Sequence, residues 1–284
     1  MRNAKHDTEL TRWAKALCMT ALLSCCSSAV AHGPLHERLA RANQTITADP
    51  TNATHYVARA ELSFEHADFA ATLRDLDQAD ALGQAGEKTT LLRARTLSAQ
   101  GHHDDAITLA TTCVADAVSP QYALTARSEI YEAMGKLAQA AGDLESAIDV
   151  SEKPSVDVFL RCAVLQEQAG DGKAARQCLE RARAARPQSR VLQVALCDLA
   201  IRQGSHEDAL NMLDDLITHA PRGERWLVRK AEVLTTMGRR SEAALAAREA
   251  LTLIDALPPR HRETPVMNTL RQRSQKLVTA NTTE

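Results

Sequence analysis

The sequence predicts an all-α protein built as an array of repeated helix pairs, and three observations predict it. In 284 residues, aromatics make up only 3%. That deficit, together with few β-branched residues, argues against a large sheet, while the excess of Ala, Leu, Arg, Glu and Gln favours helix. Glycines then mark a period: Gly101, Gly135, Gly170, Gly204 and Gly238 are separated by 34, 35, 34 and 34 residues. Small residues keep the same period in further slots, and a sustained fixed period is the signature of stacked helical units.

Composition bounds the function. The chain is 44% hydrophobic, enough for a packed structure and against wholesale disorder. A net charge of −2 removes the electrostatic case for nucleic acid and for a polybasic membrane patch. No stretch is long and apolar enough to span a bilayer as a helix.

Residues 1–31 read as an export signal. Arg2, Lys5, Arg12 and Lys15 give a positive start, diluted by Asp7 and Glu9, and an apolar stretch runs from Ala16 to Cys26. Ser27-Ser28-Ala29-Val30-Ala31 then places small residues where a signal peptidase needs them, so cleavage is expected after Ala31. The alternative is a membrane-anchored lipoprotein. Leu22-Leu23-Ser24-Cys25 resembles a bacterial lipobox with Cys25 as lipid acceptor, but bulky Leu23 fits its middle position poorly. Export places the mature chain in the periplasm or outside the cell, with a net charge near −4.

The mature chain begins with a lone helix over 35–48, ending at Asp49-Pro50, inside an N-terminal segment 32–52. Helix pairs follow. Each marking glycine is expected at a helix end that needs a left-handed residue, and stepping back 34 from Gly101 lands on Ala67. Polar and acidic residues after it suit the start of the next helix. Seven residues before each mark stand Ala60, Ala94, Ser128, Ala163, Cys197 and Ala231; five after it stand Thr72, Ala106, Ala140, Ala175, Ala209 and Ala243. Twelve after it stand Ala79, Cys113, Ala147, Ala182, Leu216 and Ala250. Small side chains there let antiparallel helices approach closely. Larger apolar residues such as Leu97, Leu124, Leu144, Leu165, Leu179, Leu196 and Leu213 fill between them. Pro120, Pro154, Pro187 and Pro221 stop the second helices. At the far end Pro258-Pro259 makes a linker, and Thr264-Pro265 opens a last helix. Its Met267, Leu270 and Leu277 form a stripe able to cover the final pair, and the tail after Val278 is expected to be loose.

On these slots the chain resembles the tetratricopeptide repeat family. Six units are counted: 53–86, 87–120, 121–154, 156–189, 190–223 and 224–257, with capping helices at both ends, the last within 258–284. The departure lies in the aromatics, since only Tyr56, Phe69 and Tyr131 hold family aromatic slots. The resemblance implies a helical-repeat solenoid whose first helices line a concave groove, and docking there of an extended or helical segment of another protein.

Candidate chemistry dissolves on inspection. His102-His103-Asp104-Asp105 sits at the bend that Ser205-His206-Glu207-Asp208 occupies in another unit, so these read as turn and cap residues rather than metal ligands. His36-Glu37 has no second His four residues after the first, and Gly170-Asp171-Gly172 is a bend without a preceding strand. No nucleophile-elbow or phosphate-loop pattern occurs, and no enzyme activity and no cofactor are expected. Of the cysteines outside the signal, Cys113 and Cys197 occupy small slots, and all four are read as reduced. Should a bridge form, Cys162–Cys178 is the pair on partnered helices. Asn-x-Thr triplets start at Asn43, Asn52 and Asn281 and matter only in a eukaryotic secretory route.

Carried over slot by slot, the resemblance gives a groove with Glu61, Glu65, Glu129, Glu132, Asp157, Glu167, Asp198 and Glu232 as acids. Its bases are Lys88, Arg95, Arg202 and Arg225, and Val57, Phe64, Tyr122, Leu160, Val191, Val194 and Val228 lie between. The family clamp for a C-terminal carboxylate would fall on Val57 and Glu61, so an acidic C-terminal tail is disfavoured. The expected occupant is a protein segment of mixed basic and apolar character, and the expected function a non-catalytic interaction scaffold of the cell envelope. An accessory or regulatory subunit with a small-molecule pocket is the alternative.

Overall fold

In the computed structural model the described residues are 33–117 and 120–282. The export signal, its cleavage point and Cys25 lie outside them. Among the described residues all regular structure is helical. The chain divides into two compact units, Met1–Lys136 and Leu137–Glu284.

The first unit holds α1 (Gly33–Ala48), α2 (Ala53–Glu65), α3 (Phe69–Ala81), α4 (Glu87–Ala99), α5 (His103–Asp116) and α6 (Gln121–Ala133). Each helix packs on the next, and α4 also touches α2 and α6. The second unit holds α7 (Leu137–Val150), α8 (Val156–Gln168), α9 (Gly172–Ala185), α10 (Arg190–Arg202) and α11 (His206–His219). It continues with α12 (Glu224–Thr236), α13 (Arg240–Asp255), the short α14 (Pro259–Arg262) and α15 (Pro265–Thr282). Sequential packing recurs there, α8 touches α10, and α15 lies against α12 and α13. The fold is therefore a helical-repeat solenoid type, in which each pair contacts its neighbours.

The small-residue slots explain how the pairs close. Ala60, Ala94, Ser128 and Ala231 are fully buried, and Ala163 and Cys197 nearly so. Thr72, Ala106, Ala140, Ala175, Ala209 and Ala243 are all fully buried. With only a small methyl, hydroxyl or thiol group at the crossing, backbones approach until Leu and Ile from either side interlock. One such cluster joins Ala94, Ala106, Ala110 and Ile130; another joins Leu213, Leu234, Ala243 and Ala247.

The turn inside each pair is one device repeated six times. A residue in the left-handed region follows the first helix: Ala67 at φ 58°, then Gly101, Gly135, Gly170, Gly204 and Gly238 between 71° and 89°. The next amide bonds back to a carbonyl five residues earlier, as in Asp68 N–H to Ser63 and Arg239 N–H to Leu234, both at 2.9 Å. This closes the Schellman pattern and satisfies carbonyls the helix end leaves open. Asp68 and Asp171 then accept N–H bonds from Ala71 and Ala174, so one residue ends one helix and caps the next.

The C-terminal segment corrects two expectations. The helix does not loosen after Val278 but runs to Thr282, because Asn281 is buried and its Nδ2 donates to Thr235 Oγ1 at 2.9 Å. Pro258-Pro259 is not a bare linker but starts α14. The expected stripe does cover the last pair: Leu270 packs with Leu227, Val228, Ala250 and Ile254, flanked by Met267 and Leu277. No helix among the described residues is long and apolar enough to cross a membrane.

Candidate interaction groove

In the first unit, α2, α4 and α6 present parallel stripes at helical spacing. Glu61, Phe64 and Glu65 come from α2; Lys88, Leu91, Leu92 and Arg95 from α4; Tyr122, Ala126 and Glu129 from α6. Residues three, four and seven apart share one helix face, so three helices side by side make one surface. Together they line a cleft of about 790 Å³ with a mostly apolar wall. Tyr122 stands at its edge with 71% of its surface exposed.

Arg95 sits at the centre of the cleft. Its guanidinium lies 5.3 Å from the centroid of the Phe64 ring on α2, and its Nε lies 2.8 Å from Glu129 Oε2 on α6. One side chain thus touches both neighbouring first helices, by a cation–π contact and an ion pair. Lys88 Nζ lies 2.7 Å from Glu61 Oε1, and Arg38 of α1 lies 2.8 Å from Glu65. Glu87 adds a further carboxylate at the rim.

The second unit repeats this pairing between its first helices. Arg202 donates from Nε and Nη2 to the two oxygens of Glu167, both at 2.8 Å. Those hydrogen bonds hold the Glu167 carboxyl below its ordinary range and raise the Arg202 guanidinium. Arg229 Nη2 lies 2.6 Å from Asp198 Oδ1, without the alignment of a hydrogen bond. Arg273 of α15 reaches Glu232 at 2.5 Å. Asp157 lies in the first turn of α8, where a carboxylate meets the positive end of the helix. Leu160 is partly buried, while Val164 and Val191 are exposed.

The structure changes what the groove residues mean. Six of the eight acids assigned to it (Glu61, Glu65, Glu129, Glu167, Asp198 and Glu232) form ion pairs with a base on an adjacent first helix, α1 and α15 included. Three of those bases, Arg38, Arg229 and Arg273, were outside the sequence count, which therefore overstated the acidity of the face. Glu132, on α6, is also engaged. Val57 is mostly buried and lines a smaller cleft beside Glu61 and Lys88, and Val228 is buried because α15 closes over it. Val194 is only partly buried and packs against the core of the second unit. Arg225 instead stacks on its neighbour, 4.2 Å from the Trp226 ring centroid. Val164 was missed although it lies one turn after Leu160.

Other candidate residues fall into structural places. His102 caps α5, and Asp104 and Asp105 occupy its first turn. Among the described residues there is no cluster of three or more His, Cys, Asp or Glu able to hold a metal ion.

Residues 131–197 match the tetratricopeptide repeat family. Among solved structures, the C-terminal part of a TPR repeat-containing protein from Cytophaga hutchinsonii is similar over 79% of this chain and 92% of that one, at 15% identity and TM-score 0.61. Yeast Tom70 is similar over 83% of this chain but only 46% of its own, at 17% identity and TM-score 0.52. PilW, described as a widely conserved type IV pilus biogenesis factor, is similar over 66% and 86%, at 14% identity and TM-score 0.52. At such identities the likeness is one of fold. No curated protein matches the sequence.

Proposed function

Because the chain is a tetratricopeptide repeat protein, we propose that it is a non-catalytic scaffold that holds a segment of another protein against the first helices of its repeats. The observation that carries this reading is the cleft over α2, α4 and α6, apolar in its wall, with Tyr122 exposed beside it. Most of its charged residues, Glu61, Glu65, Lys88, Arg95 and Glu129, are already paired within the protein. Exposed ion pairs contribute only ~0–1 kcal/mol, so an incoming cation can exchange with Lys88 or Arg38 at little gain. Apolar anchors against Phe64, Leu91 and Tyr122 therefore carry most of the affinity, and basic groups beside Glu87 and Glu65 set the register. The occupant is a segment of mixed apolar and basic character.

We also propose that the scaffold works in the cell envelope, on the strength of residues 1–31. Mass spectrometry of envelope material should find a mature N-terminus at His32; lipid on Cys25 would replace that reading with membrane anchoring.

The groove is tested by placing a photo-crosslinking residue at Tyr122 in the full chain in vivo, and identifying what it captures. The expected product is a crosslink to one protein through an apolar and basic segment. Tyr122→Asp should then lose that partner while keeping the helical signal of the wild type. If the folded variant recovers the partner as well as wild type does, the groove assignment fails.

A further inference from the structure

Apart from the groove, the fourth helix pair holds an unusual combination: two buried free cysteines, Cys162 on α8 and Cys178 on α9. They are the seventh and twenty-third residues of their unit. In the first unit of the series those two places hold Arg59 and Asp75, whose side chains meet across the pair at 2.6 Å. In the fifth they hold Leu196 and Met212, which line one cavity. In the fourth pair the Sγ of Cys178 lies 3.6 Å from the carbonyl oxygen of Phe159, one turn before Cys162, and the Sγ of Cys162 lies 3.7 Å from the carbonyl oxygen of Ala141 on α7.

We propose that Cys162 and Cys178 are a dithiol that closes to a disulfide, tying α8 to α9 within one repeat. The co-reactant is a small-molecule disulfide. Cys178 is the entry point, since it is 7% exposed whereas Cys162 is fully buried. The nearby Cys162 thiol holds the Cys178 thiol below its ordinary range, which favours the attacking thiolate. That sulfur attacks the reagent, a mixed disulfide forms, and one thiolate leaves. Cys162 then gives up its proton and attacks the Cys178 sulfur, expelling the second thiolate. Two cysteines lose two electrons, the reagent gains them, and both protons end on the departing thiols.

The other two cysteines among the described residues lack this arrangement. Cys113 packs among Leu91, Ala123 and Ala126. Cys197 donates to the Ala209 carbonyl, and burial pushes it up to about 11.

The test treats the folded full chain with oxidised glutathione, quenches with acid, unfolds, alkylates and maps the peptides. The expected result is one internal bridge between the peptides of Cys162 and Cys178, with Cys113 and Cys197 alkylated and a raised urea midpoint that dithiothreitol reverses. Cys162→Ser should instead trap glutathione on Cys178 and show no rise. Cys162 and Cys178 both alkylated, glutathione on wild-type Cys178 without closure, or a bridge to another cysteine would each overturn the proposal.

Discussion

Exchanging alanine and glycine at the turn inside two repeats should move stability in opposite directions. Ala67 and Gly238 occupy the same place, at φ 58° and 74°. Both make the same backbone bonds: Ala67 N–H to Phe64 at 2.9 Å and Gly238 N–H to Thr235 at 3.0 Å, each followed by the bond five residues back. Nothing lies within 4 Å of a Cβ built on Gly238, and Ala67 is exposed, so neither exchange adds or removes packing. Only two terms remain. A left-handed residue with a Cβ costs ~1–2 kcal/mol, and glycine loses ~0.5–1 kcal/mol more chain entropy on folding. The difference gives Gly238→Ala a destabilisation of about 0.5–1 kcal/mol and Ala67→Gly a gain of similar size. Urea denaturation followed by circular dichroism reads both, as midpoints at unchanged slope. A destabilised Ala67→Gly, or a Gly238→Ala midpoint equal to wild type, would refute the claim that the left-handed turn closes each pair. Because each repeat touches only its neighbours, a changed slope would instead report that one end of the array had uncoupled.

Two further outcomes follow from the packing and the ion pairs. Ala243 is fully buried where α13 meets α12, so Ala243→Leu should overpack the contact and lower stability by ~1–3 kcal/mol, read as a lower urea midpoint; an unshifted midpoint would deny the close approach. The lowered Glu167 carboxyl gives stability that is present above its ordinary value of 4.5 and is lost as pH falls through the lowered one. Acid titration of Glu167→Gln should therefore show a shallower loss below that pH than wild type, by less than about 1 kcal/mol. Equal acid profiles would mean that Arg202 and Glu167 do not act as a pair.

The export reading of residues 1–31 belongs wholly to the sequence, and so does the repeat itself. The glycine spacing fixed where the left-handed turns fall, and the first helices begin at Ala53, Glu87, Gln121, Val156, Arg190 and Glu224. These features are local: a turn needs one permissive residue, a close crossing needs a small side chain, and both recur at fixed intervals along the chain. Even Ala67 was reachable by stepping back one period, though its residue type hides the strain.

Side-chain pairing was not reachable in that way. Arg38, Arg229 and Arg273 meet Glu65, Asp198 and Glu232 at separations of 27, 31 and 41 residues, none equal to the repeat. Such contacts depend on how neighbouring first helices are rotated and on where the flanking helices α1 and α15 lie, which no single periodicity encodes. The same cause buries Val228 under α15 and carries that helix on to Thr282, where Asn281 finds Thr235. An acidic face read from slots became a set of internal ion pairs once tertiary packing brought the cations in, because a charge's partner is set by distance in space and its slot by distance along the chain.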